Sequence, residues 1–514
     1  MSGKSFYRNS LFMSIVVFIS RIFGFLRDVI LANFFGTSLL GDSFFLAFRI
    51  PNTFRRLLGE GAFNSAFIPV YSGYISGDAR RKEGWFLGNL FIRFSFVLVL
   101  ISLLGTIFSE EIVSLFTLLS HQNGSFSETT SNLLKITFWY LTLVGLGAFF
   151  MGIQQANDSF AKPAAGQIVY NISFILFLVL LFKVDDPQKQ VYIAATGVIL
   201  AGLLQTGYQI FQAVKLKRPF ILNLSRENEK LKKLLKIITP AIFGQAIVEI
   251  NLIADSIFAL FLSGGVISAM YYANRITQLP LGIFAVSISI VSLTLFSKRI
   301  NSKKSIEKEL KRSVNSLVTI IMPLTSFLIG GGIYVIKVLF MRGEFTAESA
   351  QLTNMLLIYY SVGLIVFSFI KLFSQIFYSH RNMVFPVIFT SVAMVINVEL
   401  NAILVFPMGA GGLALASTIS AGVNLLLLFL YTYRRYSIKP PIKLFFKIIP
   451  VSIVMSLVLL YLQPLAEKLV DIKWEFLKNI LLATGFFIIN IIPYLLIFGT
   501  KNIIKAVKNR GTHL

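Results

Sequence analysis

About fourteen apolar stretches, each long enough as a helix to cross the roughly 30 Å of hydrocarbon in a bilayer, follow one another along this chain. The first two run from Asn9 to Phe35 and from Leu39 to Tyr74, and the last two from Leu444 to Leu462 and from Phe476 to Phe498. Hydrophobic residues make up 56% of the sequence, and sustained hydropathy of this kind marks membrane-spanning helices. The expected fold is therefore an all-α polytopic membrane protein. Several stretches, that from Leu39 to Tyr74 among them, exceed a single crossing, which predicts tilt, kinks or extension beyond the bilayer.

Charge between the stretches sets the orientation. Alternate connections carry basic clusters: Arg80, Arg81 and Lys82; Lys215 to Lys236; Lys298 to Arg312; Arg434 to Lys443; and the tail from Lys501. The segments Ser120 to Asn132 and Pro407 to Gly412 are poor in them, so the positive-inside rule places both termini in the cytoplasm. The formal net charge of +24 is largely this bias, which makes anionic membrane lipids the expected partners of the basic loops, and not nucleic acid. With no cysteine, disulfides and thiolate metal sites are excluded, and with no Walker A sequence ATP hydrolysis is not expected. His121, His380 and His513 are scattered and read as loop or surface residues. The first stretch is too long and too charged for a cleavable signal and is read as a helix.

The chain also repeats itself. Phe44, Phe45, Ala47, Arg49 and Ile50 stand opposite Met270, Tyr271, Ala273, Arg275 and Ile276, each set after a glycine-containing turn, at Gly36 and at Ser263-Gly264-Gly265. Repeats of this sort build many transporters. They predict two pseudo-symmetric six-helix lobes, residues 1–220 and 236–435. An amphipathic cytoplasmic linker over 221–235 joins them, and two further helices with a basic tail occupy 436–514.

Against this lipid-like background, Arg21, Arg27 and Asp28 lie inside the first stretch, and Asp42, Arg49, Arg55, Arg56 and Glu60 inside the second. A charge near the centre of a bilayer helix costs about 2.5–3.5 kcal/mol on insertion scales, so such residues persist where they face water or each other. At 1.5 Å per residue, Arg21 lies about 17 Å into its helix, near mid-bilayer. Helical geometry puts Arg21, Gly24 and Asp28 on one face, and Asp42, Arg49 and Arg56 on another. Two readings follow: ion pairs between neighbouring helices, or an anion-binding cavity. The five arginines outnumber the three acids, and Arg275 adds a cation in the second lobe, which favours a central cationic cavity. Arginine suits a phosphate-rich ligand because its planar fork donates paired hydrogen bonds and keeps its charge. Gly24, Gly59, Gly61 and Pro51 are candidate points of bending or close helix approach.

The string Ser20-Arg21, Gly24-Phe25, Arg27-Asp28, Phe35-Gly36, Asp42, Phe44-Phe45, Ala47-Phe48, Pro51-Asn52, Arg55-Arg56, Glu60-Gly61-Ala62-Phe63, Ala66-Phe67 and Pro69 resembles the N-terminal signature of the MurJ (MviN) lipid II flippases. The likeness continues through Tyr272-Ala273-Asn274-Arg275, Gln278, Pro280 and Gly282, through Arg342-Gly343 with Phe345, and through Gly412-Leu413-Ala414 with Asn424. Asn274 stands where many relatives have Asp, and the loop Ser379-His380-Arg381-Asn382 lacks an acid often found there.

The resemblance implies the fold of the multidrug/oligosaccharidyl-lipid/polysaccharide exporter superfamily, with two six-helix lobes around a central cavity. It implies a carrier, not an enzyme, in the bacterial cytoplasmic (inner) membrane. Its cargo would be lipid II, the undecaprenyl-pyrophosphate-linked disaccharide peptide, moved to the periplasmic leaflet by alternating access. By position, Arg21, Arg27, Arg55 and Arg275 would engage the pyrophosphate and headgroup, and Asp28, Asn52 and Glu60 belong to the same substrate-binding set. The helices from Leu444 onward would supply a groove for the polyprenyl tail, and the cell-wall synthesis machinery is a candidate partner.

Asp255, inside the seventh stretch, is costly there unless it is neutral, hydrogen-bonded or bound to a cation. Asn397 and Asn401 share a face of the eleventh stretch, and Thr418 of the twelfth adds an oxygen, a set suited to sodium; Glu249 is the alternative acid. No other cofactor is expected, and sodium or proton coupling, or the membrane potential, is what the resemblance implies. Two other functions compete. An exporter of another polyprenyl-linked saccharide or of an amphiphilic drug would share the architecture but is not expected to carry the Arg21/Arg27/Asp28 block with Pro51-Asn52 and Arg55. A glycosyltransferase using lipid II would need catalytic acids near the outer surface, and Glu110, Glu111, Asp185, Asp186, Glu344 and Asp471 form no recognisable constellation.

Overall fold

A computed structural model describes residues 3–75, 80–118, 124–224, 229–470 and 472–498, and among them every regular element is helical. The chain divides into two compact units, Met1–Ser268 and Ala269–Leu514. The first contains α1 (Gly3–Phe35), α2 (Leu39–Arg55), α3 (Ala62–Ile75), α4 (Arg80–Ile107), α5 (Ser109–Thr117), α6 (Gly124–Thr137), α7 (Trp139–Ala156), α8 (Ala161–Val179), α9 (Pro187–Val214) and α10 (Glu229–Ala259). Then come α11 (Val266–Pro280), α12 (Val286–Asn301), α13 (Glu307–Phe340), α14 (Ala347–Ser379), α15 (Val384–Met408), α16 (Ala410–Tyr436), α17 (Lys443–Leu469) and α18 (Glu475–Phe498).

The apolar stretches of the sequence fall on helices, several of them on two with a turn between, and the described residues do not give the expected count of fourteen crossings. By length and composition, 11 helical spans among the described residues can cross a membrane, or 12 if Lys232–Thr239 and Gly244–Ala259, bent by 45°, make one span. Burial sorts them into core and periphery. In α13, 67% of the most apolar window is buried inside the protein, against 22% in α4, α15 and α18. Apolar side chains left outward on helices this long are the surface a bilayer solvates. In the first unit α1 packs on α8, α8 and α7 on α9, and α2 on α6; in the second, α13 carries α14, α17 and α18. The last two helices are held to α13 by a buried polar chain: Asn490 Nδ2 donates to the Pro323 carbonyl at 2.7 Å, and Tyr494 bridges Ser326 and Ser452 at 2.9 and 2.7 Å.

The repetition seen in the sequence is a repetition of structure. In one copy the Gly36 turn leads into α2, a π-helical turn over Arg56–Gly61 and then α3; in the other the Ser263–Gly265 turn leads into α11, a π-helical turn over Leu281–Ala285 and then α12. A π turn widens the backbone by one residue and leaves a local bend. Pro51 lies inside α2 upstream of the first, and Pro280 immediately precedes the second.

Within the first unit the two turns lie against one another. Gly265, at φ +94°, has no room for a Cβ against the Thr37 carbonyl, and the Asp42 carboxylate accepts from Gly265 N at 2.7 Å, Ser268 N at 2.8 Å and Ser268 Oγ at 2.6 Å. The sequence reading put α10 at the start of the second lobe; here it packs in the first unit, on α3 and on the π turn that precedes it. Of the linker, residues 225–228 lie outside the described residues. Its start lies along α4: Ile221 N donates to the Gly84 carbonyl at 3.1 Å, and the Ile221 carbonyl fills the space a Cβ at Gly88 would need.

Candidate functional site

In α1, Ser20, Gly24, Arg27 and Asp28 form the buried face that meets α8. Arg27 is enclosed there. Its Nε and Nη2 donate to Asp28 Oδ1 at 3.0 and 2.7 Å, and its Nη1 donates to Asn171 Oδ1 at 3.1 Å. The Tyr170 and Phe174 rings each lie 6.0 Å from the guanidinium carbon. Two opposite charges removed from solvent attract strongly, and their desolvation is offset only when further hydrogen bonds complete the set. Asn171 supplies one such bond.

Arg21, expected on the face of Gly24 and Asp28, is instead exposed, and it makes no hydrogen bond or ion pair with the described residues. The reason is its position at the edge of the buried face, from which a long side chain extends outward.

The second face expected to carry charge, Asp42, Arg49 and Arg56, is turned toward α10 and the turn after it. Arg49 Nη1 donates to Ser256 Oγ and, at 3.3 Å, to the Leu252 carbonyl. Arg56 Nη1 reaches Glu249 Oε1 at 3.4 Å, and the same buried carboxylate accepts from Thr53 Oγ1 at 3.4 Å and Gln245 Nε2 at 3.2 Å. These three charges are thus structural contacts between helices. Arg55 lies on the other side of α2, half-buried, with its Nε donating to Asn52 Oδ1 at 2.8 Å. Of these arginines, Arg27 is the cation placed against Tyr170, 6.0 Å from the ring centroid. Glu60 belongs to the π turn, and its side chain lies outside the described residues. In the second unit, Arg275 is half-buried over the Tyr271 ring, 5.4 Å from its centroid.

Of the expected ion ligands, Asp255 is buried in the first unit. In the second, Asn397 and Asn401 are fully buried on one face of α15, with Asn401 Nδ2 donating to Asn397 Oδ1 at 3.0 Å. Thr418 Oγ1 donates to the Tyr359 carbonyl at 3.1 Å. Among the described residues no three of His, Cys, Asp and Glu converge on a point. His380 stacks on Tyr436 with centroids 4.0 Å apart, whereas His121 and His513 lie outside the described residues.

Two of the acids expected at the outer surface have local duties. Lys135 Nζ donates to Glu110 Oε1 at 2.7 Å and holds that carboxyl below its ordinary range, and Asp186 caps α9 by accepting from Gln188 N at 2.9 Å. Asp471 lies outside the described residues.

Sequence reasoning passed over Tyr170 and Asn171. A signal existed, since an amide inside the apolar run of α8 is expensive in lipid unless something engages it. The spacing that separates Arg49 from Arg275 also separates Asn171 from Asn397, and Glu83 from Glu309. Both glutamates are buried in the first turn of a long helix, Glu83 bonded to Tyr71 at 2.7 Å and Glu309 to Arg299 at 3.0 Å.

The family model described as Lipid II flippase MurJ matches residues 31–481. The chain is 35% identical over 433 residues to a Buchnera aphidicola (subsp. Acyrthosiphon pisum) protein named "Probable lipid II flippase MurJ", covering 82% of this chain and 83% of that protein. Among solved structures it is similar to a lipid II flippase MurJ in an inward closed conformation, with a TM-score of 0.78 and 27% identity over 95% of this chain and 99% of that one. An inward-facing MATE family transporter of the MOP superfamily shares the fold, with a TM-score of 0.67 at 15% identity over 84% of this chain and 98% of that one. An all-helical chain with this many apolar spans, this arginine-rich first helix pair and these likenesses belongs to the MurJ lipid II flippase family of multi-pass membrane proteins.

Proposed function

We propose that the protein carries lipid II from the cytoplasmic to the periplasmic leaflet of the bacterial inner membrane by alternating access, as a transporter and not an enzyme, with both termini cytoplasmic. The observation that carries this reading is Arg21, an exposed guanidinium within an apolar helix, without a partner among the described residues, in a unit where Arg27, Arg49 and Arg56 are each engaged by neighbours. A charge so placed costs about 2.5–3.5 kcal/mol unless water or an anion meets it. A pyrophosphate is that anion for a lipid II carrier, and its oxygens match the paired donors of arginine. Arg55 is the further headgroup cation of the first unit, with Arg27, Asp28, Asn52 and Glu60 completing that set, and Arg275 is a headgroup cation proposed by itself in the second. The helices α17 and α18, each laid along α13, supply the surface for the polyprenyl tail. The machinery that makes and consumes lipid II is the proposed functional partner.

Native mass spectrometry of the purified protein tests the substrate. Lipid II should stay bound, lipid-linked pyrophosphates should displace it, and amphiphilic cations should not. Displacement by cations alone would contradict the reading and favour a drug exporter. Coupling to a sodium or proton gradient is the companion proposal, with Asn397, Asn401 and Thr418 of the second unit as candidate sodium ligands and Asp255 of the first unit as a separate candidate acid. Replacing sodium by a large organic cation should then slow transport, and Asn401→Ala should remove that dependence; sodium-independent rates in the parent protein would exclude sodium.

A further inference from the structure

Asn171 touches α1 at two points. Its Oδ1 accepts from Arg27 Nη1 at 3.1 Å, and its Nδ2 donates to the Ser20 carbonyl at 3.1 Å. A peptide carbonyl has two lone pairs, so Ser20 can serve the helix and the amide together. Between the two contacts lies Gly24, where an ideal Cβ would stand 3.4 Å from Asn171 Nδ2. The amide therefore has room only because nothing larger than a methyl projects there.

Ser20, Gly24 and Arg27 lie on one face of α1, spaced by four and then three residues. An amide bonded to both ends of that face sets the rotation of α1 about its own axis. Apolar packing alone sets it weakly, because burial of apolar surface is non-directional. One residue along a helix is a turn of about 100°, enough to exchange the buried Ser20 edge for the exposed Arg21 edge. The spacing that leads from Arg49 to Arg275 leads from Asn171 to Asn397, also fully buried and bonded to a second amide, so both repeats carry a buried asparagine at this point.

We propose that Asn171 is a positioning residue for transport: it clamps α1 so that Arg27 stays inside with Asp28 while Arg21 stays outside, available to an anionic headgroup. The link to transport rests on the lipid II reading; the clamp does not.

The chain has no cysteine, so Ser20→Cys or Arg21→Cys introduces a sole thiol. The Arg21→Cys thiol should react with N-ethylmaleimide in membranes about tenfold faster than the Ser20→Cys thiol, and Asn171→Leu should bring the two rates to within about twofold, since a hydrogen bond to a charged group is lost. Gly24→Val, which keeps Asn171 but displaces its amide, should do the same and serves if Asn171→Leu fails to accumulate. In cells depleted of their own flippase, lipid II accessible on the outer leaflet should fall with the rate contrast, with Asn171→Asp, which keeps the bond to Arg27 but loses the donor to Ser20, in between. A contrast absent from the parent, or unchanged by both Asn171→Leu and Gly24→Val, would overturn the clamp. A contrast lost with accessible lipid II unchanged would overturn its role in transport. A native Arg21 and Asn171 protein that restores no accessible lipid II would count against the lipid II reading, while the thiol rates still decide the clamp.

Discussion

Arg21 and Arg27 stand on the same helix with opposite fates, and the difference is made by residues outside it. Arg27 is consumed by Asp28 and Asn171; Arg21 is exposed. Removing one partner of a buried pair leaves an uncompensated charge, so Asp28→Ala should lower stability by about 3–5 kcal/mol, read as a fall in thermal midpoint. Arg27→Met combined with Asp28→Leu should recover most of that stability, because apolar replacement of both partners removes the desolvation cost with the attraction. The double variant should accumulate in the membrane yet fail to expose lipid II; full transport would mean that Arg27 has only a structural part. The sequence made these charges conspicuous, since an ionisable residue in an apolar run is easy to see. It did not reveal their partners. Asp42 is bonded to Ser268, 226 residues away, and no local pattern encodes such a contact.

At the scale of elements, the helices were legible because each span needs a long apolar run and leaves a polar connection at either end. The breaks within them were not. Gly59 and Gly61 hinted at a bend, and the chain does form a π turn there, but the matching turn over Leu281–Ala285, marked by Pro280 and Gly282, was not read as one. The contact between the linker and α4 was equally hidden, because nothing local in the sequence marks Gly84 and Gly88 as the positions on which Ile221 lies. Gly88→Ala should force the Ile221 backbone away and cost about 1–3 kcal/mol, and limited proteolysis should then cut faster between Pro219 and Leu224. In the second unit, Tyr494→Phe removes the hydroxyl shared by Ser326 and Ser452. It should lower stability by about 1–3 kcal/mol through the buried hydroxyls it leaves behind, with little effect on lipid II binding measured by native mass spectrometry.

For the whole molecule, the internal repeat places equivalent parts in each half: a turn, a helix, a π turn and a helix, a buried glutamate, a buried asparagine. The halves differ where charge is concerned. Arg21 and Arg27 belong to the first copy, while Arg275 repeats Arg49 in the second. Arg21, exposed, and Arg275, half-buried, are the cations of this otherwise lipid-like chain proposed to receive the pyrophosphate of lipid II. The most direct test is to deplete a bacterium of its own lipid II flippase, supply this protein or its Arg21→Ala and Arg275→Ala variants at matched membrane levels, and quantify lipid II accessible on the outer leaflet. The unsubstituted protein should restore accessible lipid II and both variants should fail. Restoration by the variants, or none by the well-expressed parent protein, would contradict the claim.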